Sequence, residues 1–358
     1  MPRIVILTQG KSTPSEAKTA TGLLRYRPEE VVAVLDSTRA GKKAEEVLGV
    51  GGSIPFISKL KEAKADTLLL GIAPTGGKLP KEWRVVIREA IERGMNVVSG
   101  LHYFLSEDEE FKELAEKHRV RLHDVRRPSP HLTVSKNIAK KTPCHRVHTV
   151  GHDCSVGKMV AAIELTNAMR KRQRRAEFIA TGQTGIMVWG WGVPIDRVIS
   201  DFVAGAIEEQ ILEHQDEEFL FIEGQGSLIH PLYSGVTLGL LHGCAPQSLV
   251  MVFDPTRSKI KNADQAMPPL REVVRIYEDM ASLITPSKVV ALAANTYALS
   301  KVQADAAVKR TEDQLGILTA DIIRHGPGRI VEAVLKRHEE LDLEKAGTKK
   351  PARKRSAG

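Results

Sequence analysis

Short apolar runs that end at glycine, repeated along 358 residues, constrain this chain more than any other feature. "RIVILTQG", "EVVAVLDSTRAG", "ADTLLLGIAPTGGKLP" and "NVVSGLH" follow one another in the first third. Their apolar cores are continuous rather than alternating, which marks strands covered on both faces. Segments with helical spacing fall between them, as in "LPKEWRVVIREAIERG", where Gly94 suits a position just past a helix. Strands of this kind alternating with helices build a parallel sheet. "RRPSPHLTVSKNIAKKTP", residues 126–143, reads as a connection, and the rhythm then resumes. "HRVHTVG", "AEFIATG", "EEFLFIEGQGSL", "SLVMVFDP" and "VVALAANT" supply a second set of strands. The expected architecture is α/β: two three-layer domains with mainly parallel sheets. A Rossmann-like domain covers residues 1–140, a P-loop NTPase-like domain 141–340, and a basic, disordered tail 341–358.

Composition narrows the class of protein. No apolar run approaches the roughly 18 residues needed to span a bilayer. The N-terminus "MPRIVILTQG" lacks the pattern of a signal peptide, so a cytoplasmic protein without a membrane partner is expected. The net charge is +8, but the last fourteen residues hold six basic and no acidic groups, leaving 8 − 6 = +2. Nucleic-acid binding is therefore expected only as weak contacts of the tail. Three cysteines, Cys144, Cys154 and Cys244, make no disulfide framework. Cys144 and Cys154 lie among His145, His148 and His152, but alternation along a strand sends those histidines to opposite faces, so no metal site is expected.

The first domain lacks the G-x-G-x-x-G turn of a dinucleotide site; "TQGKSTPSEAKTATG" stands where it should be. Asp36 ends the second strand at the place of a ribose-binding acid, and "GIAPTGGKLP" offers glycines and a lysine to the crevice. A Rossmann-like fold without NAD is the expectation.

"VGHDCSVGKMV" follows a strand and opens a helix, the context a phosphate cradle needs. Gly151 and Gly157 let the backbone approach an anion, and Lys158 brings a point charge. Five residues separate the glycines, giving G-x-D-x-x-V-G-K through Asp153, Cys154, Ser155 and Val156. This loop resembles that of dethiobiotin synthetase and its relatives. Met159 replaces the hydroxyl that binds Mg²⁺ there, and a thioether is a poor ligand for that ion. Phosphate binding survives the exchange, while metal-assisted phosphoryl transfer loses a ligand.

In "FLFIEGQGSLIHP" a strand delivers Glu223 to the carboxyl edge, as a general base or, if Mg²⁺ is used, its ligand. Gln225 and Ser227 follow in a glycine turn with spare N–H donors. "ATGQTGIMVWGWGVPIDRVISDF" places Gln183, Trp189 and Trp191 in a glycine-rich loop, with Asp196 and Asp201 at the start of the next helix to orient a cationic or amine group. Two tryptophans there suit a ligand wall or equally a packing surface. Arg257 and Asn295 end later strands as candidates for a substrate carboxylate and for a base or amide.

Together, "GHDCSVGKM", "TGQTGIMVWGWGVPIDRVISDFVAG", "IEGQGSLIHP" and "ALAANT" resemble the D-glutamate N-acetyltransferase family over residues 3–338. The resemblance implies acetyl transfer from acetyl-CoA to a D-amino acid. The loop would then hold the phosphates of CoA without cutting them. Two alternatives stay open: an ATP- and Mg²⁺-dependent kinase or ligase, and a nucleotide-binding regulatory module. The substrate is a small molecule in the first two, and the tryptophan loop leaves room for a homo-oligomer.

Overall fold

A computed structural model describes residues 1–14, 16–72 and 79–348, with side chains described to residue 344. In chain order the strands are β1 Ile4–Leu7, β2 Val31–Leu35, β3 Phe56–Ile57, β4 Thr67–Leu70, β5 Asn96–Ser99, β6 Leu122–Asp124, β7 His145–Gly151, β8 Ala176–Ile179, β9 Phe219–Glu223, β10 Ser248–Phe253, β11 Lys288–Ala294 and β12 Thr319–Ala320. The helices are α1 Lys18–Tyr26, α2 Ala44–Leu48, α3 Lys81–Glu92, α4 Glu109–His118, α5 Lys158–Lys171, α6 Gln183–Trp189, α7 Val203–Glu213, α8 Ser234–Cys244, α9 Leu270–Ser282, α10 Lys301–Leu315 and α11 Gly328–Thr348.

The chain divides into two compact units. The first holds Met1–His131 with Ala180–Val198, and the second holds Leu132–Ile179 with Ile199–Gly358. In the first, six parallel strands run in the order β3-β2-β1-β4-β5-β6, so the order reverses about β1. β1, β4 and most of β2 are buried along their length, as the continuous apolar runs require. Gly94 takes φ +76° just past α3, as its place in the sequence suggests. The stretch "GIAPTGGKLP" has residues 73–78 outside the described residues.

Asp36 is spent inside this unit. Fully buried at the end of β2, it accepts from Ser12 Oγ at 2.5 Å and from Thr38 N and Oγ1 at 3.0 and 2.8 Å. Burial opposes its charge, yet these hydrogen bonds outweigh it and hold the carboxyl below its usual range. A carboxylate so enclosed has little left to offer a ribose.

Asp108, the N-cap of α4, is bonded by Arg84 at 2.5 Å and by Tyr103 Oη. Arg84 is the main reason its pKa falls to about 2. The folded value lies below the unfolded one, so this stability is full above pH 4 and lost as pH falls toward 2. We expect acid denaturation monitored by circular dichroism to show a loss of about 2 kcal/mol over that window, absent in Arg84→Ala.

The second unit has six parallel strands in the order β12-β11-β10-β7-β9-β8. β7, β9 and β10 are buried at every position, and Leu249, Met251, Leu292, Val273 and Tyr277 form a core on one face. The residues after His131, expected as a linker, are part of this fold. Buried Glu208 accepts from the backbone of Lys136, Ile138 and Ala139 at 2.6, 2.6 and 3.1 Å. The last helix runs to Thr348, so residues 341–348 are helical rather than a disordered tail. Residues 349–358 lie outside the described residues.

The segment Ala180–Val198, placed by sequence within 141–340, groups with the first unit. Its contacts explain why. Thr184 Oγ1 lies 2.8 Å from Thr19 Oγ1, and Arg27 Nη1 donates to Met187 O at 2.7 Å.

Candidate functional site

β7 carries the chain to Gly151, and α5 begins at Lys158. Between them Ser155 has φ +57° and Gly157 φ +108°. Turning those residues left-handed aims successive N–H groups to one side. Among the described residues the N–H groups of Ser155, Val156 and Gly157 have no protein acceptor. Unpaired loop donors at the start of a fourteen-residue helix are what an anion binds. Lys158 is buried, and its Nζ donates to Asp153 O at 2.8 Å. Burial pushes its pKa down to about 8, against the opposing charges of Asp153 and Glu223.

Several buried groups brace this loop. Asp153 accepts from Cys154 N at 2.6 Å, Arg257 Nη1 at 2.8 Å and Lys261 N at 2.9 Å. Burial works against its charge, but those donors prevail and keep the carboxyl below its ordinary value. Arg257 Nη1 also donates to Cys154 O at 2.8 Å, and Asn295 Nδ2 donates to Val156 O at 2.9 Å. Both side chains, expected to face a ligand, thus spend hydrogen bonds on the loop itself. Met159 is partly buried in the first turn of α5.

Glu223 ends β9 opposite Thr149 of β7 and is 6% exposed. A Cβ on Gly224 would lie 1.9 Å from Thr149 O, so only glycine fits there. Gly226 follows with φ +55°. Gln225 is half-buried, and its carbonyl accepts from Thr237 Oγ1 at 2.8 Å; Ser227 is fully buried.

Two residues that sequence reading passed over join these loops. Tyr277 Oη donates to Gly151 O and accepts from Leu228 N, both at 3.0 Å. Tyr277 sits within α9, far from any motif, and nothing in the sequence singles it out. His230 Nδ1 accepts from Leu232 N at 3.2 Å, so Nε2 carries the proton and donates to Lys261 O at 2.9 Å. It stands inside the quoted "GQGSLIHP", where a buried histidine was there to be noticed.

Asp153, Cys154 and His230 bring potential metal-ligand atoms within 4.8 Å of one another. The donor set does not fit an ion. Both nitrogens of His230 are engaged, and three donors occupy the Asp153 carboxylate. The other histidines do not converge. His145 Nε2 lies 2.8 Å from Ser248 Oγ, and His152 Nε2 accepts from Asp254 N at 3.1 Å. His148, fully buried, has no protein partner for either nitrogen among the described residues.

Burial pushes the His148 pKa down to about 3. Since the unfolded chain protonates first, His148 costs stability as pH falls from 6.5 toward 3. His148→Leu is expected to raise stability by about 1–2 kcal/mol at pH 7 and to flatten the acid limb, read by urea melts at several pH values.

Gln183, Trp189, Trp191 and Asp196 belong to the first unit, whereas the phosphate loop, Glu223, Gln225, Ser227, Arg257 and Asn295 belong to the second. Gln183 Nε2 donates to Thr19 Oγ1 at 3.3 Å, and Asp196 pairs with Arg126.

Fold and site together define a two-unit α/β protein, Rossmann-like in its N-terminal part, with a P-loop in its C-terminal part. More closely, the chain belongs to the DUF1611 family. Residues 37–128 match its N-terminal Rossmann-like domain and residues 133–331 its C-terminal P-loop domain, both described as domains of unknown function. A relative from Tritonibacter scottomollicae, named D-glutamate N-acetyltransferase, is 37% identical over 320 residues, 89% of this chain and 94% of its own. One of the same name from a Pseudoalteromonas species is 39% identical over 269 residues, covering 75% and 80%. The crystal structure of a DUF1611 family protein from Anabaena variabilis superposes with TM-score 0.90 at 36% identity, over 94% of this chain and all of that one. No described helix is long and apolar enough to cross a membrane.

Proposed function

We propose that the protein is an N-acetyltransferase that moves acetyl from acetyl-CoA to the amine of a D-amino acid, with D-glutamate the first acceptor to test. The observation that carries this is the match to two relatives named for that activity, one spanning 89% of the chain. The loop geometry agrees with it. Free N–H groups of Ser155–Gly157 and the α5 N-terminus suit the phosphates of CoA, and holding them needs no Mg²⁺ ligand at Met159.

Acetyl transfer begins once the bound ammonium has given one proton to solvent and the neutral amine attacks the thioester carbonyl. An oxyanion forms, then collapses as the C–S bond breaks and CoA thiolate leaves. The nitrogen sheds one proton, for which Glu223 is the proposed acceptor. The Gly224 N–H is held by Thr149 Oγ1 at 3.3 Å, and the N–H groups of Gly226 and Ser227 are the proposed donors to the oxyanion.

The test is a parallel titration with acetyl-CoA, CoA, ATP–Mg²⁺ and NAD, followed by assay of free thiol release with D-glutamate. Binding of acetyl-CoA and D-glutamate-dependent thiol release are expected. A response to ATP–Mg²⁺ alone would sink the reading and favour a kinase or ligase.

A further inference from the structure

The first unit carries a charged cluster for which the loop chemistry has no use. At the carboxyl ends of β5 and β6, Arg126 is 8% exposed, and its Nε donates to Gly100 O at 2.6 Å. Its Nη1 reaches both Asp196 and His102 Nε2, the latter at 3.1 Å. A guanidinium only donates, so His102 Nε2 is unprotonated. Burial first, then the charges of Arg126 and Arg197, hold the His102 pKa below its ordinary value. Arg126 Nη2 has no protein partner among the described residues and is not sealed from solvent. Arg197 lies 4.8 Å over the Phe104 ring, a contact that leaves its N–H donors unspent.

Arg126 and Arg197 set two guanidinium groups against the one carboxylate of Asp196, a surplus of one positive charge, since Arg127, over the same Phe104 ring, is paired with Glu107. Arg126 is nine-tenths buried and fixed by its other nitrogens, so the open donor pair on Nη2 is pre-oriented for a charge-assisted bond to an anion. The cluster stands on the carboxyl-end side of the sheet, the side on which open parallel sheets bind ligands, at its β5–β6 edge rather than at the reversal about β1. An α-amino acid carries its ammonium and carboxylate on the same carbon. A guanidinium and a carboxylate already in hydrogen-bond contact match that pair without rearrangement. Asp196, whose side chain is 33% exposed, has surface left for the ammonium.

We propose that His102, Arg126, Asp196 and Arg197 form the binding site for a dicarboxylic amino acid, the acceptor of the reaction proposed above, on which this assignment rests. Arg126 takes the α-carboxylate through Nη2, Asp196 the ammonium, and Arg197 the second carboxylate. One such amino acid, with net charge −1, neutralises the surplus.

The test uses the full chain in steady-state acetyl transfer and in calorimetry. Arg126→Gln is expected to raise KM for D-glutamate about 30-fold while KM for acetyl-CoA changes less than about twofold. Arg126→Lys, which keeps the charge but loses the fork, should recover part of the loss. Arg197→Gln should weaken D-glutamate more than D-alanine, which has no second carboxylate. An unchanged KM for D-glutamate in Arg126→Gln, or equal losses for both substrates with a fall in Tm in both Arg126 variants, overturns the site. If the wild-type protein turns over no D-glutamate, the acetyltransferase reading fails instead. Calorimetry then decides the site: D-glutamate must bind wild type and lose affinity in Arg126→Gln, and absence of either result overturns the proposal.

Discussion

Glu223→Gln is expected to lower kcat for acetyl transfer by about 10²–10⁴-fold while KM for acetyl-CoA stays within about threefold. The exchange keeps size and hydrogen-bonding capacity and removes only the basic oxygen. Glu223 is 6% exposed at the end of a strand buried at every position, so its backbone has no reason to move. The α5 N-terminus and the loop N–H groups stay intact, and CoA binding with them. Single-turnover assays against binding isotherms for acetyl-CoA separate the two quantities. Unchanged turnover would remove Glu223 as the base, and an equal loss of binding would make it part of the cradle.

Gly224→Ala is expected to cost more than about 3 kcal/mol of stability and to abolish activity in whatever folds. The added methyl would meet Thr149 O at 1.9 Å and Lys158 Cδ at 3.0 Å. The first obstacle is the backbone of the central strand β7, which pairs with β9 and β10 and cannot retreat. Most of the damage falls between β7 and β9, where the loop lysine passes. Urea denaturation reads the loss. As a contrast, Gly235→Ala places its methyl in open space and should alter stability by less than about 1 kcal/mol.

The sequence carried the fold because its signals are local. Continuous apolar runs such as "VVAVL" and "FLFIE", closed by turn residues, mark strands covered on both faces, and β9 is buried throughout and β2 at all but Val32. The loop was equally legible, since Gly151, Gly157 and Lys158 sit in a strand-to-helix context that physics makes specific. What could not be read was long-range. Arg257 and Asn295 looked like ligand contacts at strand ends, yet each reaches more than 100 residues back to hold the loop. Tyr277 joins Gly151 to Leu228 from the middle of an amphipathic helix, where its hydroxyl leaves no trace in the periodicity. The departure of residues 180–198 from the second unit was hidden for the same reason. Its cause lies in the side chains of Thr19 in α1 and of Arg27 at its C-cap, about 160 residues earlier.

That excursion has a topological consequence. Since the chain leaves the second unit after Ile179 and returns at Ile199, three peptide links join the two units, at 131–132, 179–180 and 198–199. No single proteolytic cut at any of them parts one whole unit from the other: a cut at 131–132, for instance, releases residues 1–131 but leaves 180–198 joined to the second unit. A gene fragment ending at residue 131 would encode a first unit stripped of α6, with Thr19 and Arg27 deprived of their partners. The complementary fragment would carry α6 with nothing of its own unit to pack on. The halves are thus not separable modules that evolution or an experimenter can shuffle at one seam. They are two folds stitched through each other's sequence, and they are inherited together.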